Sequence, residues 1–387
     1  MYLYYELRVM EDILLKMSPH TKAKHRILEY YLKAWFPILS KWNGRIVYFD
    51  GFAGPGKYDD DSFGSPIIAL EVAKNHKLKL AEEIVFYFIE KDTRRAEFLK
   101  NLLDERYKYE KDDTYTKLPK NFKIHIENGD FNEVMSSILR DLEQEGANLA
   151  PSLAFVDPFG YSDINIKILG RILSFRKCEL LITYMVGFLN RFAFDDKHRS
   201  SIRSSFLLSD EELNNIITIG NSEDREEEWL RLLSEKLIGS MKEYNSVGQD
   251  VYPLSFKTKD KSNRTMYYLV YFTRSKKGIG AMKEAMWKIG KSGNYTFSDY
   301  GFQPGQKSIL DYSEEKPWIG LASQQLHKHF KGMEVELDAI KCYILLDTPL
   351  IFRKSILKEL EKNGLIEVPD TRPKRYSYPE GVRIKFL

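Results

Sequence analysis

Arg45-Ile46-Val47-Tyr48-Phe49-Asp50-Gly51-Phe52-Ala53-Gly54-Pro55-Gly56 is the stretch from which the rest of the chain can be read. Its first half, Arg45 to Asp50, is a β-rich run that ends in an acid. Its second half is a turn in which Gly54 and Gly56 permit positive φ and close approach of a ligand to the backbone. No helix follows at once. Lys57, Tyr58 and three aspartates intervene before Ser65-Pro66 offers a helix start. A dinucleotide cradle needs a helix N-terminus directly behind its glycines, and Phe52 stands where its first glycine would be. The stretch is therefore a strand followed by a ligand-binding turn, and a nicotinamide-type dehydrogenase is disfavoured.

Outward from this turn, short apolar runs alternate with helical ones. Glu83 to Glu90 reads as the second strand, with a helix from about Thr93 to Tyr109. Phe122 to Glu127 reads as the third strand, with a helix from about Asn132 to Glu145. Ser152 to Asp157 and Leu180 to Met185 read as the fourth and fifth. Such alternation predicts a parallel sheet with helices on both faces. Upstream, Ile27, Tyr30, Tyr31, Ala34 and Ile38 recur at helical spacing and predict a helix from about Thr21 to Lys41. Downstream, about 190–245 is helical and charged, which predicts an inserted helical subdomain. Val251 to Lys257 and Thr265 to Thr273 then predict an antiparallel hairpin, followed by a helix from Gly278 to Ile289 and a loop from Gly290 to Gly305.

The last 55 or so residues have their own pattern. Leu337, Ile340 and Ile344 mark a helix, Thr348-Pro349 is the expected start of the next, and Ile356, Leu357 and Leu360 mark its apolar face up to Gly364. Ile366 to Val368 and Val382 to Phe386 read as short strands around a polar tip. This is the outline of a winged helix. The expected division is a Rossmann-like domain over 1–325 and a winged-helix module over 326–387.

Composition sets outer limits. The chain has 387 residues and 43% apolar content, enough for a sizeable core, and 59 basic against 56 acidic residues, a net +3. So small a net charge means that any nucleic-acid affinity must be regional. Cys178 and Cys342 lack metal-ligand spacing, so no metal site and no disulfide framework is expected, and a reducing, cytoplasmic setting fits. Glu6, Arg8, Glu11 and Asp12 argue against a signal peptide. No apolar run approaches the roughly 20 residues of a membrane span, so no membrane partner is expected.

Each of the first four strand ends carries a candidate functional residue. Asp50 closes the first and Glu90 the second, where an acid can meet ribose hydroxyls. Asp130 follows the third, where Gly-Asp is equally the signature of a helix cap. Asp157-Pro158-Phe159-Gly160-Tyr161 follows the fourth. The segment containing Lys24 and His25 is as readily a solvated helix start as a ligand contact.

These motifs in this order resemble those of amino methyltransferases, whose first motif is D-x-F-x-G-x-G and whose fourth is an acid or amide followed by Pro-Pro-aromatic. The resemblance implies the class I methyltransferase sheet, mostly parallel with seven strands, and S-adenosylmethionine as cofactor. It implies cofactor-binding roles for Asp50, Phe52, Ala53, Gly54, Gly56 and Ser65, and for Glu90 at the ribose and Asp130 at the adenine amine. Lys24 or His25 would meet the methionine carboxylate. Asp157, Pro158, Phe159 and Tyr161 would form the catalytic set, Asp157 accepting from the target amine. Phe159 stands in place of the second proline and Tyr161 comes two residues later, a departure from the pattern.

Over nearly its whole length the chain resembles the three-Cys-motif partner protein family. The runs that carry this are HTKAKHRILEYYLKAWFPIL at 20–39, VYFDGFAGPGKY at 47–58, FGSPIIALE at 63–71, FVDPFGY at 155–161 and YYLVYFTRSKKGIGAMKEAMWKI at 267–289. That resemblance implies a bacterial or phage-linked setting and a separate partner protein bearing three cysteines. More distantly, Tyr48, Asp50, Ala53, Gly54, Gly56 and Tyr58 are similar to the Y-x-D-x-x-A-G-x-G-x-Y loop of bacterial rRNA adenine-N6 methyltransferases. That likeness implies a nucleobase amine in RNA or DNA as the substrate. The basic residues expected on nucleic acid are Arg353, Lys354 and Lys358 on the second winged-module helix, and Arg372, Lys374 and Arg375 at its tip. Two alternatives stay open: these cations are a solvated face, or the chain is a noncatalytic nucleic-acid-binding partner of the three-cysteine protein.

Overall fold

The computed structural model describes residues 13–39, 44–110, 115–244, 250–290, 296–298, 316–369 and 372–387. The charged N-terminal residues Glu6 to Asp12 and most of the expected loop from Gly290 to Gly305 lie outside them. The chain forms two compact units, Met1–Gly278 with Phe297–Gly301, and Ile279–Thr296 with Phe302–Leu387. The second unit thus begins well before residue 325.

The first unit is built on β1 (Arg45–Asp50), β2 (Glu83–Glu90), β3 (Phe122–Asn128), β4 (Ser152–Val156), β5 (Cys178–Tyr184), β6 (Tyr252–Lys259) and β7 (Thr265–Thr273). A three-residue β8 (Thr296–Ser298) extends the sheet, giving the order β3-β2-β1-β4-β5-β7-β6-β8. β1 pairs in parallel with β2 and β4, and β7 runs antiparallel to both β5 and β6. The sheet is Rossmann-like and mostly parallel, with a reversed hairpin beyond β5 and one short strand added at its edge. Its middle strands are buried on both faces, every residue of β4 and β5 and all of β1 after Arg45. That is why these runs are continuously apolar instead of alternating.

The helices α1 (Pro19–Leu39), α2 (Ser65–Lys74), α3 (Thr93–Tyr107) and α4 (Phe131–Gln144) fall where their patterns predict, to within a few residues. Ser65-Pro66 opens α2 after all, with proline in the first turn. Two helices were not anticipated: Lys316–Phe330, in the second unit, and α5 (Ile166–Ser174), nine residues capped by Asn165. At its centre Gly170 lets another helix come close, since a Cβ there would stand 2.5 Å from Ser240 Oγ. Ser240 belongs to α9 (Ser222–Tyr244), the last helix of the insertion, which also contains α6 (Val186–Phe192), α7 (Asp196–Phe206) and α8 (Asp210–Thr218).

α10 (Lys276–Trp287) carries the chain onward into the second unit. There α11 (Lys316–Phe330), β9 (Glu334–Glu336), α12 (Leu337–Asp347), α13 (Lys354–Lys362), β10 (Ile366–Glu367) and β11 (Arg383–Phe386) follow. The strands form an antiparallel sheet in the order β10-β11-β9 around a core that includes Leu326, Ile340, Ile344, Leu357 and Ile384. Thr348-Pro349 does not start a helix, contrary to the expectation. Thr348 is instead the C-terminal cap of α12: its hydroxyl donates back to Ile344 O at 2.9 Å and accepts from Leu350 N–H at 3.1 Å. Proline behind it disfavours the helical region at Thr348, so the pair stops one helix, and the next begins at Lys354.

Candidate active site

In this sheet the strand order reverses between β1 and β4, and a crevice opens beyond their carboxyl ends, the place where open α/β sheets bind ligands. It holds a cleft of about 370 Å³ whose lining includes Lys24 and His25 from α1, Phe52 to Gly56 from the turn, Ser65 from α2, and Asp157, Pro158 and Phe159. Residues 133 apart in sequence thus meet in one space.

The glycine turn is held in shape by backbone bonds, with Gly51 N–H donating to Phe155 O at 2.9 Å and Ala53 N–H to Ile89 O at 2.9 Å. Gly54 and Gly56 have φ of +60° and +81°, the region glycine adopts without strain. A Cβ on Gly56 would also meet Leu99 at 2.6 Å. Glu90 braces the turn from β2: one carboxylate oxygen accepts from Gly54 N–H at 2.7 Å and the other from Asp92 N–H at 2.8 Å. Glu90 stands behind the cleft wall and not in its lining. Asp130 is also outside it. It caps α4 through Asn132 N–H at 2.9 Å and pairs with Lys91 at 3.0 Å. Burial pushes the Asp130 carboxyl up, but the Lys91 ammonium and the helix N–H groups outweigh it and hold the group below its ordinary range.

Asp50 is fully buried at the end of β1. The Tyr48 hydroxyl donates to its Oδ2 at 3.3 Å, while its Oδ1 has no hydrogen-bond partner among the described residues. Desolvation pushes its carboxyl up to about 7, with the Asp157 charge adding to the rise and the neighbouring Ser65 hydroxyl and Phe52 N–H opposing it. A buried carboxyl close to a ligand-sized cleft suits a cationic group.

Lys24 is directed at Asp157. Its ammonium donates to the two carboxylate oxygens at 2.6 and 2.5 Å, with exposures of only 8% for Lys24 and 20% for Asp157. Lys24 Nζ also lies 5.4 Å from the centroid of the Tyr267 ring. His25 is neutral: burial, aided by the Lys24 charge, pushes it down to about 3. Its ring packs 5.6 Å from that of Tyr58.

Phe159 and Tyr161 part company. Phe159 is 58% exposed at the cleft. Tyr161 is turned inward, 8% exposed, with its hydroxyl 2.7 Å from His198 Nδ1 and its ring against Phe192. Of the expected catalytic set Asp157, Pro158, Phe159 and Tyr161, the cleft lining thus takes the first three, while Tyr161 faces the helical insertion. The cleft also takes in residues that no local motif announced. Thr183 and Met185 come from the end of β5, Phe188 from α6, and Tyr267 from the hairpin strand β7. Tyr267 reaches the site only through the long-range pairing of β7 with β5, and its hydroxyl donates to His20 O at 3.1 Å.

In the second unit the expected basic residues divide. Lys354, Lys358, Lys374 and Arg375 are exposed. Lys358 Nζ and the Arg375 guanidinium lie 5.5 and 5.0 Å from the centroid of the Tyr376 ring. Arg372 is 9% exposed and donates to both oxygens of Glu361, at 2.8 and 2.5 Å. Arg353 forks onto Glu284 at 2.6 and 2.7 Å. The Arg372 pair is buried, whereas the Arg353 pair lies at the surface. Among the described residues no group of three or more His, Cys, Asp or Glu could hold a metal ion, and no helix is long and apolar enough to cross a membrane.

No protein-family model matches the chain, and no curated protein does. Among solved structures it is similar to Trm1 from Pyrococcus horikoshii in complex with S-adenosyl-L-methionine, at 15% identity over 96% of this chain and 94% of that one, with a TM-score of 0.38. So distant a likeness leaves the fold to rest on the sheet order and the site on its own geometry.

Proposed function

We propose that the chain binds S-adenosylmethionine in the β1/β4 crevice and transfers its methyl group to a nucleobase amine of RNA or DNA, with adenine N6 as the first target to test. The observation that supports this reading best is the meeting of the glycine turn and the Asp157-Pro158-Phe159 segment around one cleft, with the fully buried Asp50 at the end of β1 just behind the turn. The residues suit this cofactor. Gly54 and Gly56 allow close backbone approach at the cleft, and the buried Asp50 carboxyl behind the turn adds a negative charge toward a cationic ligand. When bound, the cofactor supplies a methyl group activated by its positive sulfur.

The chain's own residues have the rest of the task. An exocyclic amine is a poor nucleophile because its lone pair is delocalised into the ring. Asp157, accepting from its N–H, would draw the nitrogen toward a pyramidal geometry. Lys24 keeps the Asp157 carboxylate compensated in a partly buried site, and the apolar walls from Phe52, Met185 and Phe188 limit water. In the second unit, the order helix, strand, helix, helix and two strands supports the winged-helix reading, with Lys354, Lys358, Lys374 and Arg375 toward phosphates. The sequence runs shared with the three-Cys-motif partner family support a three-cysteine protein as partner.

Two observations favour a second reading. Phe159-Gly160 stands where a proline and an aromatic are expected, and Asp157 is already engaged by Lys24. Both suit a noncatalytic subunit that keeps the cofactor pocket and recognises nucleic acid for a partner.

The test is calorimetric titration with S-adenosylmethionine of the wild type and of Asp50→Ala and Gly54→Val variants. Micromolar binding that both variants lose is the expected result, followed by transfer of labelled methyl to RNA or DNA. Binding without transfer to any nucleic acid favours the noncatalytic subunit. No binding by folded wild type sinks both the cofactor and the activity.

A further inference from the structure

We propose that Arg95 is a positioning residue for the target base, holding the ring of Phe159 as a stacking platform at the mouth of the crevice. This rests on the methyltransferase reading above. Arg95 lies in the first turn of α3, which follows β2, and Phe159 follows β4. β1 lies between β2 and β4 in the sheet, so a contact between the two side chains crosses the carboxyl end of β1, over the glycine turn. The Arg95 guanidinium carbon is 5.6 Å from the centroid of the Phe159 ring.

Two observations separate this pair from ordinary surface packing. Phe159 is 58% exposed beside Asp157, whereas Tyr161, the other aromatic of the segment, is buried at 8%. The ring able to meet a base is therefore Phe159, and Gly160 behind it has open space, leaving the loop with no side chain to steady the ring. Arg95 supplies that support. Its backbone N–H is fixed to Asp92 at 3.2 Å, and its Nε is buried with no hydrogen-bond partner among the described residues. The neighbouring Arg94, by contrast, pairs with Asp92 at 3.4 Å. A buried guanidinium nitrogen without an acceptor is costly unless packing holds the group in place, and here the packing is on an aromatic face. A planar guanidinium against one face of the ring leaves the other face for a base, whose stacking is tolerant of base identity.

The probe is a single-stranded DNA oligonucleotide carrying one 2-aminopurine, whose fluorescence is quenched on stacking, titrated in the presence of S-adenosylmethionine. Wild type is expected to quench it, and Phe159→Ala to abolish the quench. Arg95→Ala should weaken the quench titration about threefold, the size of an exposed cation–π contact. It should leave cofactor affinity and salt slope unchanged, and Arg95→Lys should recover part of the loss. A direct phosphate contact by Arg95 would instead lower the salt slope by about 0.7 and overturn the proposal. So would an Arg95→Ala titration that superimposes on wild type, an equal loss of cofactor affinity, or a wild type that binds cofactor and oligonucleotide without quenching. A wild type that binds no cofactor fails at the methyltransferase reading itself and takes this proposal with it.

Discussion

Asp50 carries a cost in the free protein that a cationic ligand would repay. Its carboxyl is pushed from an ordinary 3.8 up to about 7, chiefly by burial. The sign follows from proton counting. Between about pH 4 and 7 the unfolded chain has released this proton and the folded chain has kept it. The folded state therefore loses stability as pH rises through that window, and the loss is complete above 7. Asp50→Asn removes the titration, so the variant is expected to melt a few degrees above wild type at pH 8 and close to it at pH 4. Binding of a cation has the opposite slope. Below pH 7 it must expel the proton, so affinity for S-adenosylmethionine should fall by up to tenfold per pH unit below 7 in wild type and be flat above it. Calorimetry across pH 5.5–8.5 in buffers of different ionisation enthalpy reads both the slope and the released proton. A flat wild-type profile would remove Asp50 from the cofactor's charge. Asp50 itself was legible in the sequence because an acid closing an apolar strand before glycines has few structural reasons to be there. The Lys24–Asp157 pair was not: no local pattern relates residues 133 positions apart, and Lys24 in isolation suited a cofactor carboxylate equally well.

At the scale of elements, legibility followed burial. β1, β2 and β5 are mostly apolar because parallel strands are covered on both faces, so the limits of β1 and β2 could be read to the residue and those of β5 to within two. α5 is short, and what defines it is the close approach of Ser240 to Gly170, a tertiary fact. Thr348-Pro349 was misread because a hydroxyl before a proline fits a helix start and a helix stop equally well, and only the bond to Ile344 O decides. Lys283 shows the same limit. In a helical pattern a lysine reads as a solvated position, yet Lys283 is 2% exposed. Its ammonium donates to the carbonyls of Ile344, Leu345 and Thr348 at 2.8, 3.0 and 2.6 Å. Three N–H donors thus meet three acceptors at the C-terminal end of α12, where carbonyls lack partners within the helix. Lys283→Met keeps the aliphatic length and leaves those carbonyls buried. It should destabilise the second unit by about 1–3 kcal/mol. Hydrogen exchange is the measurement, with α12 amides losing protection while those of β4 and β5 keep theirs. Equal loss in both places would mean that the two units unfold together.

Over the whole molecule, a net charge of +3 on 387 residues cannot draw a polyanion by itself. Affinity for nucleic acid, if the chain has it, must come from a local cluster, and composition could not reveal where the clustered cations lie or which of them are internally paired. The structure makes that distinction at residue level, since Arg353 and Arg372 sit on carboxylates while Lys354, Lys358, Lys374 and Arg375 are exposed. Phosphate neutralisation releases counterions, and the logarithm of the binding constant falls with that of salt by about 0.7 to 0.9 per cation engaged. Replacing the four exposed cations by alanine should therefore weaken binding of a duplex or single strand and lower the salt slope by about 3. Replacing Arg372 should leave the slope unchanged and cost stability instead, because Glu361 would be left buried without its partner. Affinity for S-adenosylmethionine should be the same in wild type and the fourfold variant, because the residues proposed to hold it belong to the first unit and the four cations to the second. A salt slope that survives removal of all four would move the nucleic-acid surface to the first unit, where Lys259 and Lys261 in and after β6 are the next to remove, Lys257 and Arg264 being paired with Glu226 and Asp260.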